Sequence, residues 1–238
     1  MFTPILRPRS HPHEPKPYPG HPYGRCRRRG DRRSQPRRAD GHRPGRPPPP
    51  TPAPAARSAA TSWAPGGNAA ILGIDYGTWL RDVDAVIDVA RPYVEQRIAS
   101  TPAGQKPAIV LDIDNSSLET DFHYFWTFPT PAIAKVRDLV QYAHSRGVAV
   151  FFVTARPGII ASLTQYNLTA VGYPVTGLYV RDLPDLFQEV SAYKTAKRAE
   201  IEGRGYTIIA NIGNNASDLV GGHAERTFKL PDYGGKLS

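Results

Sequence analysis

Cysteine is nearly absent from this 238-residue chain: a single residue, Cys26, stands beside 25 prolines and 21 glycines. One cysteine excludes an internal disulfide and any thiolate cage for zinc, and the seven histidines offer no ligand spacing to replace it. No apolar run approaches the roughly 20 residues of a membrane span. The first 68 residues also lack the stretch of roughly 7 to 15 apolar residues that follows the basic start of a secretory signal, so neither element is expected. Location is left open.

Acidic residues are scarce at one end. Residues 1–60 hold 14 Lys and Arg against Glu14, Asp31 and Asp40, a net +11, which leaves 16 bases and 18 acids, or −2, for the other 178 residues. The overall +9 therefore belongs to a tail. That tail carries 15 of the 25 prolines, including the run at 47–50, and almost no aliphatic residue beyond Ile5 and Leu6. Such a segment cannot bury enough apolar surface to offset chain entropy. Residues 1–68 are thus expected to be a disordered basic Pro/Arg-rich tail with polyproline-like stretches, and 69–238 one folded domain. Arg25, Arg27, Arg28 and Arg29 would suit nucleic acid; a solvated low-complexity tail is the plainer reading.

What the remaining chain has in plenty is alternation. Trp79, Leu80, Val83, Val86, Ile87, Ala90, Tyr93, Val94 and Ile98 recur at helical spacing and predict an amphipathic helix over 77–99. Short apolar runs at 108–113, 148–153, 177–180 and 206–212 read as strands covered on both faces. Segments 131–146, 158–170 and 190–203 carry helical periodicity, with Gly147 and Gly205 as stops. Strand and helix in turn imply an α/β fold with a mainly parallel sheet, in which ligands bind beyond the carboxyl ends of the strands.

Each strand end carries a chemical group. The first leaves the sheet as Asp112-Ile113-Asp114-Asn115-Ser116, two acids spaced one apart, with free backbone N–H groups expected between them. Burying like charges together is costly without a function: one carboxylate suits attack and the other proton transfer. The second ends in Thr154-Ala155-Arg156-Pro157, a hydroxyl and backbone N–H groups at an expected helix start that suit phosphoryl oxygens; alone, Thr154 would more simply be a helix cap. Lys194, near the start of a helix, opposes the helix dipole and so calls for an acid or a bound anion, or else is an ordinary surface lysine. The fourth ends in NIGNNASD (211–218), where Asp218 is either a ligand or a cap. Together these groups match phosphoryl transfer through an aspartyl-phosphate, and the clustered acids call for a hard, oxygen-seeking cation such as Mg²⁺.

In order and spacing the four segments resemble the HAD superfamily, and within it the class B-type (subfamily IIIB) acid phosphatases, over about residue 72 to the end. Asp112, Asp114 and Ser116 resemble the DxDxT signature with serine for threonine; FFVTARP (151–157), YKTAKR (193–198) and NIGNNASDL (211–219) resemble the second, third and fourth motifs. The resemblance implies a Rossmann-like three-layer fold. It implies Asp112 as nucleophile, Asp114 as general acid and base, Lys194 as charge partner, Ser116, Thr154, Ala155 and Lys194 around phosphate, and Mg²⁺ on Asp112, the Asp114 main chain, Asn214 and Asp218. Many relatives carry Asp where this chain has Asn214; an amide brings no charge, so the resemblance implies weaker Mg²⁺ binding and, as the alternative function, phosphate or metal binding with little turnover. The 117–131 interval is too short for a large cap domain, so small phosphomonoesters are the expected substrates, with Asp121, His123, Tyr124, Phe125 and Trp126 either facing them or simply packed.

Overall fold

The computed structural model describes residues 67–237. The readings made for the tail, including the arginine patch at 25–29 and Cys26, lie outside the described residues.

Five strands form one parallel sheet: β1 (Lys106–Leu111), β2 (Ala149–Pro157), β3 (Gly177–Arg181), β4 (Tyr206–Gly213) and β5 (Thr227–Lys229), in the order β3-β2-β1-β4-β5. The central strand β1 sets Val110 against Phe151 and Leu111 against both Phe152 and Ile212. Its near-unbroken apolar run follows from burial on both faces. Ile109 and Leu111 point into one core layer, Ala108 and Val110 into the other, as the period of two requires.

The first layer is filled from α2 (Tyr76–Ala99), whose Trp79, Val83, Ile87, Ala90 and Val94 are buried at steps of three and four, together with α3 (Ala134–Ser145) and α4 (Ala161–Ala170). Asp75 caps α2 by accepting the Thr78 N–H at 2.8 Å. The opposite face is covered by α5 (Val190–Gly203) through Tyr193 and Ile201. Helices on both sides of a parallel sheet make the expected three-layer fold. Gly147 and Gly205 follow the ends of α3 and α5 with φ of 84° and 86°, the left-handed conformation that stops a helix cheaply only at glycine.

Three features depart from the sequence expectation. Strand β2 runs on to Pro157, so Thr154, Ala155 and Arg156 belong to a strand end and the helix begins only at Ala161, after a 3-10 turn (Gly158–Ile160). The sheet pairing Pro157↔Arg181 holds the chain extended past the apolar core. Strand β5 has only three residues, one of them buried, too little alternation to read. Two single-turn helices, α1 (Asn68–Ile71) and α6 (Ala216–Leu219), are shorter than the window in which periodicity is visible; α6 is nonetheless what places Asp218.

Candidate active site

Beyond the carboxyl ends of β1, β2 and β4 lies an open cavity of about 460 Å³. Asp112 and Asp114 reach it from the loop after β1, Thr154, Ala155 and Arg156 from the end of β2, Lys194 from α5, and Asn215, Ser217 and Asp218 from the loop and helix after β4. Residues 82 and 24 positions distant from Lys194 are thereby brought to its ammonium: Nζ donates to Asp112 Oδ1 at 2.6 Å and to Asp218 Oδ1 at 2.5 Å. All three side chains are buried. The surface-lysine reading thus gives way to the acidic partners expected for a lysine near a helix start.

Burial drives the Asp112 carboxyl up to about 6; Lys194 opposes that rise, while Asp218 and Asp114 add to it. Burial also disfavours the Lys194 ammonium, but the two carboxylates outweigh it and hold the lysine above its ordinary value. Two acids thus share one cation, and removing the lysine would leave both buried carboxylates without a counter-charge.

Asp114 is held separately. Arg156 grips it with both prongs, Nε donating to Oδ2 at 3.0 Å and Nη2 to Oδ1 at 2.7 Å, and Thr120 Oγ1 donates to Oδ1 at 2.8 Å. The chain turns sharply after Asp114 because Asn115 takes φ of 52°, a conformation asparagine tolerates better than most residues. The N–H groups of Asn115 and Ser116 are used inside that turn, on the carbonyls of Leu118 and Ile113. Ser117, not singled out from sequence, donates to the Asp112 carbonyl at 2.6 Å and fastens the backbone of Asp112.

Asp218 both caps and pairs. Its Oδ2 accepts the Asn215 N–H at 2.8 Å in a capping box while Oδ1 faces Lys194. The close approach depends on Gly213: a Cβ there would lie 2.4 Å from Asp218 Cβ and 2.5 Å from its Oδ2. Arg198, one turn beyond Lys194 on α5, is buried and donates to the main-chain carbonyls of Asp218, Val220 and Gly222, tying the loop to the helix.

Two residues expected at the site stand behind it. Ser116 and Asn214 are fully buried, do not line the cavity, and bond to each other: the Asn214 N–H donates to Ser116 Oγ at 2.9 Å, and Ser116 Oγ donates to Asn214 Oδ1 at 3.1 Å. Asn214 Oδ1 also accepts from Asn215 Nδ2 at 3.2 Å, and Asn214 Nδ2 donates to the Leu237 carbonyl at 3.1 Å. The amide is therefore occupied on both sides. Thr154 lines the cavity without capping a helix; its Oγ1 accepts the Arg156 N–H at 3.2 Å. Among the described residues, no three His, Cys, Asp or Glu side chains are arranged as a ready metal cluster.

The aromatic stretch divides. Phe122 is buried, stacked on Trp79 at 4.0 Å between ring centres. Tyr124, Phe125 and Trp126 are exposed, with Tyr124 and Trp126 stacked at 4.5 Å. Asp121 is spent on the turn, accepting from Asn115 Nδ2 at 2.7 Å, and His123 on Glu119 at 2.8 Å. No helix among the described residues is long and apolar enough to cross a membrane.

Comparison with known proteins gives the family and the fold. The family described as HAD superfamily, subfamily IIIB (Acid phosphatase) matches residues 60–236. A stem 28 kDa glycoprotein of Glycine max is 37% identical over 106 residues, which is 43% of this chain and 42% of that protein. Acid phosphatase 1 of Solanum lycopersicum is 32% identical over 104 residues, 43% of this chain and 41% of that protein. The chain thus spans about two fifths of the length of the curated relatives it matches. In fold, it resembles the class C acid phosphatase from Bacillus anthracis, with a TM-score of 0.53 at 19% identity, covering 66% of this chain and 79% of that one.

Proposed function

The chain belongs to the HAD superfamily, subfamily IIIB (Acid phosphatase), and from that premise we propose that it hydrolyses small phosphomonoesters through an aspartyl-phosphate on Asp112. The observation that carries this reading is the Lys194 ammonium held between Asp112 and Asp218 at a cavity that Asp114 and Thr154 also line.

A phosphoryl group entering the cavity meets Asp112, whose Oδ2 accepts no hydrogen bond among the described residues and is free to attack. As the bond from Asp112 to phosphorus forms, the ester P–O bond breaks and its electron pair goes to the departing oxygen, which takes a proton from Asp114. Lys194 and the Thr154 hydroxyl answer the charge on the phosphoryl oxygens. Water then attacks the phosphorus, Asp114 accepts its proton, and inorganic phosphate departs as the Asp112 carboxylate is restored.

A cation fits this site by charge. While Asp114 is ionised, Asp112 and Asp218 are answered by one ammonium and Asp114 by one guanidinium, which leaves an excess of one negative charge at the cavity. The oxygen-only donor set suits Mg²⁺, held by the Asp112 carboxylate and the Asp114 main-chain carbonyl. Asn214 Oδ1, which already accepts two hydrogen bonds, would join only by exchanging one of them for the metal, whereas each Asp218 oxygen accepts one and keeps a lone pair for it. When bound, Mg²⁺ supplies charge neutralisation and Lewis acidity at the phosphoryl oxygens.

The test is turnover of p-nitrophenyl phosphate across divalent metals, with Asp112→Asn as the control; wild-type release no faster than the control's sinks the proposal. A second reading, phosphate or metal binding with little turnover, is favoured by one observation: Asn214 is committed to Ser116, Asn215 and Leu237. Under that reading Asn214→Asp raises turnover strongly, and an unchanged rate counts against it.

A further inference from the structure

We infer that Arg156 is a positioning residue that aims one oxygen of Asp114 at the departing alcohol, and thereby decides whether esters with poor leaving groups are turned over. The inference rests on the phosphatase reading above and adds to it a residue and a substrate preference.

The geometry is a count of lone pairs. A carboxylate has about four lone-pair positions, two on each oxygen. Oδ1 of Asp114 receives two donors, Arg156 Nη2 and Thr120 Oγ1. Oδ2 receives only Arg156 Nε, at 3.0 Å. The one position left for a proton is therefore on Oδ2, and the bidentate grip fixes the direction in which it points. A planar fork sets both the distance and the plane of a carboxylate, which a lysine or a single hydroxyl cannot do.

The guanidinium is itself anchored. Its remaining nitrogen, Nη1, lies 3.4 Å from Oγ1 of Thr164, a buried residue of α4. Strand β2, extended to Pro157 by its pairing with Arg181, carries Arg156 past the core to the cavity wall. Arg156 is thus held by the fold on one side and holds Asp114 on the other. Its effect on the reaction passes through Asp114.

In the first step the proton moves from Asp114 Oδ2 to the ester oxygen as the P–O bond breaks and the Asp112–phosphorus bond forms. An alkoxide is a poor leaving group and needs that proton. A p-nitrophenolate leaves as the anion and needs little help. Loss of the aim should thus fall on alkyl esters, by the factor of about 10² or more that a positioned general acid contributes.

The experiment measures kcat/KM for glycerol 2-phosphate and p-nitrophenyl phosphate in the wild type, Arg156→Gln, Arg156→Lys and Asp114→Asn. Because kcat/KM ends at the first irreversible step, it reports phosphoryl transfer to Asp112 without the shared hydrolysis that follows. Arg156→Gln is expected to lose about 100-fold on the alkyl ester and less than about 10-fold on the aryl ester, with Arg156→Lys between it and the wild type. In the Asp114→Asn background, Arg156→Gln should add no further selective loss. Equal losses on both esters, or an undiminished alkyl rate, overturn the inference. If Arg156→Gln does not fold, Arg156→Lys and Thr120→Val, which loosens Oδ1 alone, carry the same comparison of esters. A wild type that turns over neither ester overturns the phosphatase reading instead, a failure distinct from that of Arg156.

Discussion

Replacing Asn214 by Asp adds a charge at a fully buried position, and the surroundings of this side chain set what that costs. In the native protein Asn214 Nδ2 donates to the Leu237 carbonyl at 3.1 Å, in a fully buried position. An aspartate has no donor there, so the bond is lost and a carboxylate oxygen faces a carbonyl oxygen. The lost bond and the stranded acceptor together cost about 2–4 kcal/mol. The Ser116 hydroxyl and the Asn215 amide still donate to the other oxygen and prevent a larger penalty. At about 2–4 °C per kcal/mol for a domain of this size, the metal-free variant should unfold about 5–15 °C below the wild type. Mg²⁺ at about a hundred times its Kd returns about 2.7 kcal/mol, enough to recover most of that loss. The assay is thermal unfolding of both proteins in EDTA and in a Mg²⁺ series. A variant that unfolds with the wild type in EDTA refutes the hydrogen-bond reasoning, and a Mg²⁺ shift no larger than the wild type's refutes the charge-count reasoning.

Lys194→Met leaves the buried carboxylates of Asp112 and Asp218 facing each other without a cation and should cost about 3–5 kcal/mol in a denaturant titration at pH 7; a loss below about 1 kcal/mol would mean the acids are better hydrated than their burial indicates. Because the folded-state Asp112 carboxyl is raised to about 6 from an ordinary 3.8, the metal-free folded state binds the extra proton between those values. Its contribution to stability is therefore greatest at acid pH, declines as pH rises through about 6, and is flat above. The stability difference between wild type and Asp112→Asn, followed from pH 4 to 8 in EDTA, should show that decline, and a difference that grows with pH would contradict it. Gly213→Ala forces a Cβ into Asp218 and should weaken inhibition by inorganic phosphate together with turnover; unchanged phosphate inhibition would show that Asp218 can retreat without consequence.

Much of the architecture was legible because β1 and its neighbours are buried on both faces, which leaves nearly continuous apolar runs, while α2 buries one stripe and so shows a helical period. The same rule explains the omissions. Strand β5 buries one residue of three, and the end of β2 leaves the core, so neither carries the pattern that burial imposes. Within the site, residue types suggested the chemistry proposed above: paired acids after a strand, a hydroxyl after the next, a lysine on a helix and an acid after a glycine turn. Partnerships were not announced. Arg156 stands in plain view in TARP, yet its partner Asp114 is 42 residues away, and only the adjacency of β1 and β2 joins them.

Local composition along the chain determined the alternation of strand and helix, and with it the edge of the sheet at which polar groups would gather, because backbone pairing and side-chain burial act at fixed periods. Tertiary structure alone decided the roles of individual side chains at that edge: Ser116 and Asn214 turned inward on each other, Asp218 shared between cap and lysine, Asp114 held by Arg156. A hydrogen bond depends on ångströms and angles between segments up to 98 residues apart, and no spacing along the chain encodes those.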